Sequence, residues 1–416
     1  MQSNRCWTGP LQWKEFPRLL VALRPAAGSR RGAGDELRKA ALKKTWISVL
    51  AALVILLVAS TVVGCGGPSP EELAAVTYTP LQRADWETAT PEEVGLDPLL
   101  VARAYYEAQQ RDTLFGLLVV KDGKLVAENY YNGADVEEID RRASVTKSYT
   151  SALTGIAIDK GFLPGLDTKM LDYFPDVTVT DPRKRDITLR QMLQMQAGYP
   201  WEEKSQQAWD IMWSGRYLNA VEDLPLSADP GTKFQYSSLT AHWTGILVAR
   251  STGLDLMSFG KQYLFGPLAV TPGEDWNRDV DGYYIGGGDI LFTARDMARF
   301  GQLYMDGGLY DGQQLISTSW VDDSLATHVE HAWDDIGKFH DIGYGYYWWG
   351  ATCGEHRVNF AWGHGGNLIV LASDLNLVVV VTADSFYGPD RFLDSWPHEK
   401  ANIKLAADFI ASLPAE

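Results

Sequence analysis

The stretch "DRRASVTKSYTSAL", residues 140–153, sets Ser144 and Lys147 three residues apart. Apolar residues at three- and four-residue spacing through Leu153, Ile156 and Ile158 predict a helix that opens near Ser144 and stops at Gly161. On such a helix, positions three apart share one face. A serine hydroxyl is a poor nucleophile until a base takes its proton. A lysine amine is such a base only when neutral, which burial or a cationic neighbour favours. The pair therefore suits attack of Ser144 on an ester or amide carbonyl with Lys147 as base. Taken alone, Lys147 fits a snorkelling surface lysine better.

Two further stretches bear on that choice: "PGTKFQYSSL" at 230–239, with Tyr236 and Ser238, and "WGHGGNLIV" at 362–370, with His364, Gly365, Gly366 and Asn367. Glycines at 365 and 366 would keep a strand free of side chains, so that a substrate can approach its backbone, or they mark an ordinary turn. The three stretches, in this order, resemble the Ser-x-x-Lys, Tyr-x-Asn and Lys-Thr-Gly motifs of the serine β-lactamase and penicillin-binding protein superfamily. "ITLRQMLQMQAG", "GGGDILFTARDMARFGQLYMDGG" and "YGYYWWG" extend the similarity to its class C-type branch, which holds esterases, D-aminopeptidases and 6-aminohexanoate-dimer hydrolases. The resemblance spans about residues 85–415.

That resemblance implies an α/β (α+β) fold of the β-lactamase/transpeptidase type. It has an antiparallel five-stranded sheet flanked by helices, and an inserted, mainly helical domain. It implies Ser144 as nucleophile, Lys147 and Tyr236 as proton-transfer groups, and an oxyanion hole made by the N–H groups of Ser144 and Asn367. His364 replaces the motif lysine and would orient Tyr236, bind a substrate carboxylate or be structural. Ser238 stands where many β-lactamases have Asn. A serine lacks the paired donor and acceptor of an amide, which counts against efficient β-lactam hydrolysis and favours ester or linear-amide cleavage. Tyr199 and Trp201 are candidates to line the substrate site. Trp348 and Trp349 are further aromatic candidates, with core packing the stronger reading. No cofactor is implied. The alternatives are a cell-wall D-amino-acid peptidase or transpeptidase, a β-lactamase, and a non-catalytic penicillin- or peptidoglycan-binding protein.

The elements that must position these groups are legible in outline. "FGLLVVKDGKLVAENYY" predicts two strands around an Asp122-Gly123 turn. "RVNFAWGHGGNLIVLASDLNLVVVVTADS" predicts three more, with Leu377–Val381 central and covered on both faces. A last helix is expected over about Glu399 to Leu413. Strands thus come from both ends, and helices from the middle. The α/β part takes about 81–143 and 285–416, and the helical part about 144–284.

Charge and leader bound the rest. The chain has 416 residues and a net charge of −16; residues 1–64 carry 10 Lys+Arg against 3 Asp+Glu, leaving −23 on the remainder. An acidic body excludes nucleic acid as the expected partner, since phosphate binding needs a basic surface. Residues 42–64 follow signal-peptide grammar: lysines, an apolar run from Trp46 to Val63, then Gly64-Cys65. "VVGC" resembles the lipobox of bacterial lipoproteins, which implies lipidation of Cys65, a tether over 65–80 and export to the outer face of a membrane. An uncleaved transmembrane anchor is the other reading. Residues 1–40 fit neither and suggest translation from near Leu37 or Leu42. Cys353 is expected to be an inert loop residue, with no disulfide framework in the mature chain. The cluster at His328 and His331 lacks a helix-spaced ligand set, and no metal site is expected.

Overall fold

The computed structural model describes residues 67–390 and 393–415 of the chain. The proposed signal segment and Cys65 therefore lie outside the described residues. Among the described residues, no helix is long and apolar enough to cross a membrane.

Hairpin chemistry starts the sheet. Strands β1 (Leu114–Lys121) and β2 (Lys124–Tyr130) are joined by Asp122 and Gly123, at φ 54° and 74°. Two consecutive left-handed residues match the right-handed twist of the flanking strands. The remaining strands come from the C-terminal part: β3 (Phe339–Tyr344), β4 (Trp349–Cys353), β5 (His356–Gly363), β6 (Asn367–Ala372) and β7 (Leu377–Ala383). They form an antiparallel sheet in the order β2-β1-β7-β6-β5-β4-β3. The sheet thus has seven strands where five were expected. The two extra strands lie in an aromatic and glycine-rich run without clean apolar–polar alternation, so periodicity does not reveal them.

Strand β7 is buried along its whole length, as its unbroken apolar run requires. Its faces are covered by helices from the set α1 (Pro98–Ala108), α2 (Thr146–Asp159), α3 (Ser238–Thr252), α4 (Ala294–Met305) and α5 (Ser395–Ala411). Helices α4 and α5 are the two that pack on β7 and β6. Gly301 lets α4 close onto the sheet, since a Cβ there would stand 2.7 Å from Ile369 Cγ2 and Val378 Cγ1. Helix α5 begins at Ser395, earlier than expected, because Pro397 falls in its first turn, where a missing N–H leaves no bond unmade.

Helix α2 is buried on every side from Thr146 to Ala157 and packs against α3. It starts at Thr146, and Ser144 lies just before it on a 3-10 turn, Ala143–Val145. Cys353 ends strand β4 rather than lying in a loop. Its thiol is buried, donates to the Ala407 carbonyl and is pushed up to about 12 by burial, so it is unreactive.

Candidate active site

Ser144, the candidate nucleophile, stands on a backbone bend. Ala143 has φ 43°, a left-handed conformation that a residue with a Cβ rarely adopts. Its carbonyl is held by the Thr146 hydroxyl (2.6 Å) and the Asp289 N–H (3.1 Å), which stabilise the bend. As a result Ser144 is partly exposed, while Val145, Thr146 and Lys147 turn inward.

Lys147 is 1% exposed. Its Nζ lies 2.8 Å from Ser144 Oγ, 3.0 Å from Ser238 Oγ and 2.7 Å from the Gly287 carbonyl. A neutral amine has two N–H donors and one lone pair. The Gly287 carbonyl can only accept, so it takes one N–H, and Ser238 can take the other. The lone pair is then free to accept the Ser144 proton. Burial holds the amine below the ordinary lysine range, while the charges of Glu202, Glu203 and Asp289 pull it back up. The "GGGD" run gave no sequence signal for this role. Gly287 is needed there because a Cβ would stand 2.5 Å from the Ser238 carbonyl.

Tyr236 is directed at the same serine. Burial pushes its phenol above the usual tyrosine range, and a hydrogen bond with Ser144 draws it back. Lys147 Nζ lies 4.8 Å from the centre of its ring. Ser144, Lys147, Tyr236 and Ser238 are therefore brought together as the spacing of the motifs suggested.

The third stretch is arranged differently from expectation. Gly365 and Gly366 form a turn at φ 81° and 89°, where added Cβ atoms would meet the Asp384 carbonyl at 2.4 Å and Asn402 Cβ at 2.6 Å. They pack against protein and do not open a face to substrate. Asn367 starts β6 opposite Gly363. Its buried amide donates to the His364 and Ala383 carbonyls and to Ser385 Oγ, tying the turn to β7. The backbone beside Ser144 is Gly363, whose Cβ would be 3.2 Å from the Ser144 nitrogen and 2.4 Å from the Arg142 carbonyl. His364 is held by Glu399 (Nδ1 to Oε2, 2.7 Å) and by Ser395 Oγ (2.9 Å from Nε2). Glu399 also accepts from Trp362 Nε1 and the Gly365 N–H.

The family model described as beta-lactamase matches residues 102–402. The chain belongs to the beta-lactamase family. A 6-aminohexanoate-dimer hydrolase of Paenarthrobacter ureafaciens is 28% identical over 304 residues, covering 68% of this chain and 76% of the relative. A lovastatin esterase of Penicillium rubens is 28% identical over 151 residues, 31% of this chain and 37% of that protein. Among solved structures, a putative 6-aminohexanoate-dimer hydrolase from Bacillus anthracis superposes with a TM-score of 0.57 at 20% identity, covering 84% and 91% of the two chains. The relatives are hydrolases, and this member of the beta-lactamase family is a serine hydrolase.

Aromatic rings surround the cluster of Ser144, Lys147 and Tyr236 in this family member. Trp349 stacks on Tyr236 at 5.5 Å, and Trp201 approaches the same ring at 6.1 Å. Trp333 bridges Trp201 (5.2 Å), Trp349 (5.8 Å) and Trp362 (5.2 Å), and Trp396 stacks on Trp362 at 6.2 Å. Trp201, Trp333 and Trp396 are partly exposed, so the wall runs outward from Tyr236 to solvent. Sequence reading missed Trp333 and Trp396, which lie in stretches that carry no motif. Tyr199 is not part of the wall. It is buried against Trp243, and its hydroxyl donates to the Val221 carbonyl. Trp348 is likewise core.

Proposed function

We propose that this protein hydrolyses ester or linear amide bonds of small acyl substrates through a Ser144 acyl-enzyme. The observation that carries the reading is the 2.8 Å contact between Ser144 Oγ and a buried Lys147 amine. Ser144 Oγ attacks the carbonyl carbon and its proton passes to Lys147 Nζ. The oxyanion forms beside the Ser144 N–H. We assign the second donor to the N–H of His364, the first past Gly363, in place of Asn367. Tyr236, kept protonated by burial, hands a proton to the leaving alkoxide or amine as its bond to the acyl carbon breaks. Water, giving a proton to the Tyr236 phenolate, then attacks the acyl-enzyme, and Lys147 returns its proton to Ser144 Oγ as the acyl bond breaks, giving the free acid and restoring all three groups. The tryptophan wall offers an apolar face to the acyl chain. The name of the Paenarthrobacter relative supports the amide, and that of the Penicillium relative the ester.

A β-lactamase or cell-wall peptidase reading is weaker here, because Ser238 has no side-chain amide and its hydroxyl is engaged by Lys147. The leader supports an exported form held at a membrane through lipidated Cys65; palmitate incorporation lost in Cys65→Ala would test it.

The hydrolase reading is tested with p-nitrophenyl acetate and butyrate. A burst of one nitrophenolate per chain, with a matching acyl mass adduct that is absent in Ser144→Ala, is the expected result. Folded protein with neither burst nor adduct refutes it.

A further inference from the structure

Glu202 is a carboxyl in an unusual place. It lies on the short turn Glu202–Lys204, directly after Trp201, and is 1% exposed. Its Oε1 accepts from Ser237 Oγ at 2.8 Å and from the Leu239 N–H at 2.9 Å. Ser237 is the N-cap of α3, its hydroxyl also accepting from the Thr240 N–H at 3.0 Å. One carboxylate oxygen therefore grips the residues on both sides of Ser238. Ser238 is the residue that touches Lys147 Nζ, and Tyr236 directly precedes Ser237. Neither partner of Glu202 is a cation, so no ion pair explains its burial, which costs free energy unless it serves the groups around it.

We propose, resting on the serine hydrolase reading above, that Glu202 is a positioning residue. Its carboxyl holds Tyr236 and Ser238 in register with Lys147, and its charge governs how readily the Lys147 amine gives up its proton.

The electrostatics follow from the surroundings. Burial raises the Glu202 carboxyl and the Leu239 N–H lowers it. The ionised carboxylate favours the ammonium form of Lys147, which cannot take the Ser144 proton. Protonation of Glu202 removes that pull. The other charged or titratable groups that act on this cluster are Glu203, Asp289, Tyr236 and Tyr217, with Glu399 acting on Tyr236. No proton passes between Glu202 and Lys147 in this scheme; the coupling is through charge and through the Ser237–Leu239 backbone.

The test uses the full chain in detergent and two probes of Ser144: p-nitrophenyl butyrate, and a fluorophosphonate that forms the Oγ–P bond with loss of fluoride. The acylation rate is followed against pH in wild type, Glu202→Gln, Glu202→Asp and Ser237→Ala. Glutamine keeps the accepting oxygen and loses the charge. Its acid limb is expected to move down by about one pH unit. Aspartate and Ser237→Ala keep the charge and loosen the grip. Their plateau rates are expected to fall about tenfold with the limb unmoved, an effect of one lost hydrogen bond. A purely structural Glu202 would lower rates without moving the limb in Glu202→Gln, and that result overturns the charge assignment. Unchanged plateaus in Glu202→Asp and Ser237→Ala overturn the positioning assignment, even if Glu202→Gln does not fold. Wild type that reacts with neither probe overturns the hydrolase reading and this inference with it, an outcome distinct from a reactive wild type with an unmoved limb.

Discussion

Lys147 and Lys184 are both buried lysines, 1% and 2% exposed, and each lies over a tyrosine ring, at 4.8 and 5.4 Å. Burial lowers both amines. What differs is the chemistry of the atoms around the nitrogen. Lys184 Nζ donates to the carbonyls of Val221 (2.9 Å), Glu222 (2.8 Å) and Leu224 (2.8 Å). Carbonyls only accept. A neutral amine there would give up one of these three bonds and turn its lone pair toward oxygen. Lys147 meets one carbonyl and two hydroxyls, and a hydroxyl can donate as well as accept. Lys184 is therefore locked as a structural ammonium, and Lys147 can cycle between charged and neutral forms. Burial alone does not make a lysine a base; a partner able to give it a proton does.

The largest expected effect separates the two lysines by activity. Ser144→Ala should lower kcat/KM by about 10⁴-fold or more, and Lys147→Met by about 10³-fold, without additivity in the double variant. In contrast, Lys184→Met should leave kcat/KM of the folded fraction within about twofold of wild type. Either an active Lys147→Met or an inactive, folded Lys184→Met breaks the comparison.

Stability should reverse the ranking. Lys184→Met removes three hydrogen bonds, leaving the Glu222 and Leu224 carbonyls without this donor while Val221 keeps the Tyr199 hydroxyl, and should cost about 2 kcal/mol in urea unfolding. Lys147→Met leaves one carbonyl, since the two hydroxyls can bond to each other or to nearby groups, and should cost about 1 kcal/mol.

A pH profile sharpens the assignment further. In the proposed mechanism the active form of Lys147 is the neutral amine, so kcat/KM should be lost as pH falls through the lowered value of that amine. The limb should rise about tenfold per pH unit and level off well below the ordinary lysine range near pH 10.4. A limb at the ordinary value would mean that Lys147 is solvated in the working enzyme.

The smallest effect concerns the wall. Trp333→Ala removes a partly exposed ring that touches Trp201, Trp349 and Trp362. It should raise KM for p-nitrophenyl octanoate about tenfold, with a smaller change for the acetate. Equal losses for both esters would mean that the ring supports Tyr236 rather than the acyl chain.

Much of this is legible in the sequence. Asp122-Gly123 specified a hairpin because only certain residues accept two left-handed conformations in succession. Leu377–Val381 specified a central strand because an unbroken apolar run must be covered on both faces. Strands β3 and β4 were not legible, since a glycine- and aromatic-rich run has no period to read. Gly365 and Gly366 suit either substrate access or a turn in sequence, and the fold makes them a packed turn, because a glycine pair looks the same whether ligand or protein approaches it. Tyr199 is core where lining is expected, because a tyrosine after a turn does not declare which way it faces.

Local order along the chain determined which residue types could react: a serine and a lysine one turn apart, with a tyrosine motif and a histidine–glycine turn downstream. Tertiary structure decided what each is able to do. Lys147 owes its partners to residues 91 and 140 positions away, Ser238 and Gly287. Glu202 reaches the motif across 35 and 37 positions, and Gly363 comes beside Ser144 only because β5 ends there. Spacing in a sequence specifies neighbours within a few residues, through helix and strand periods. A proton's destination depends on which atoms meet across the fold, and on whether those atoms can only accept or can also give.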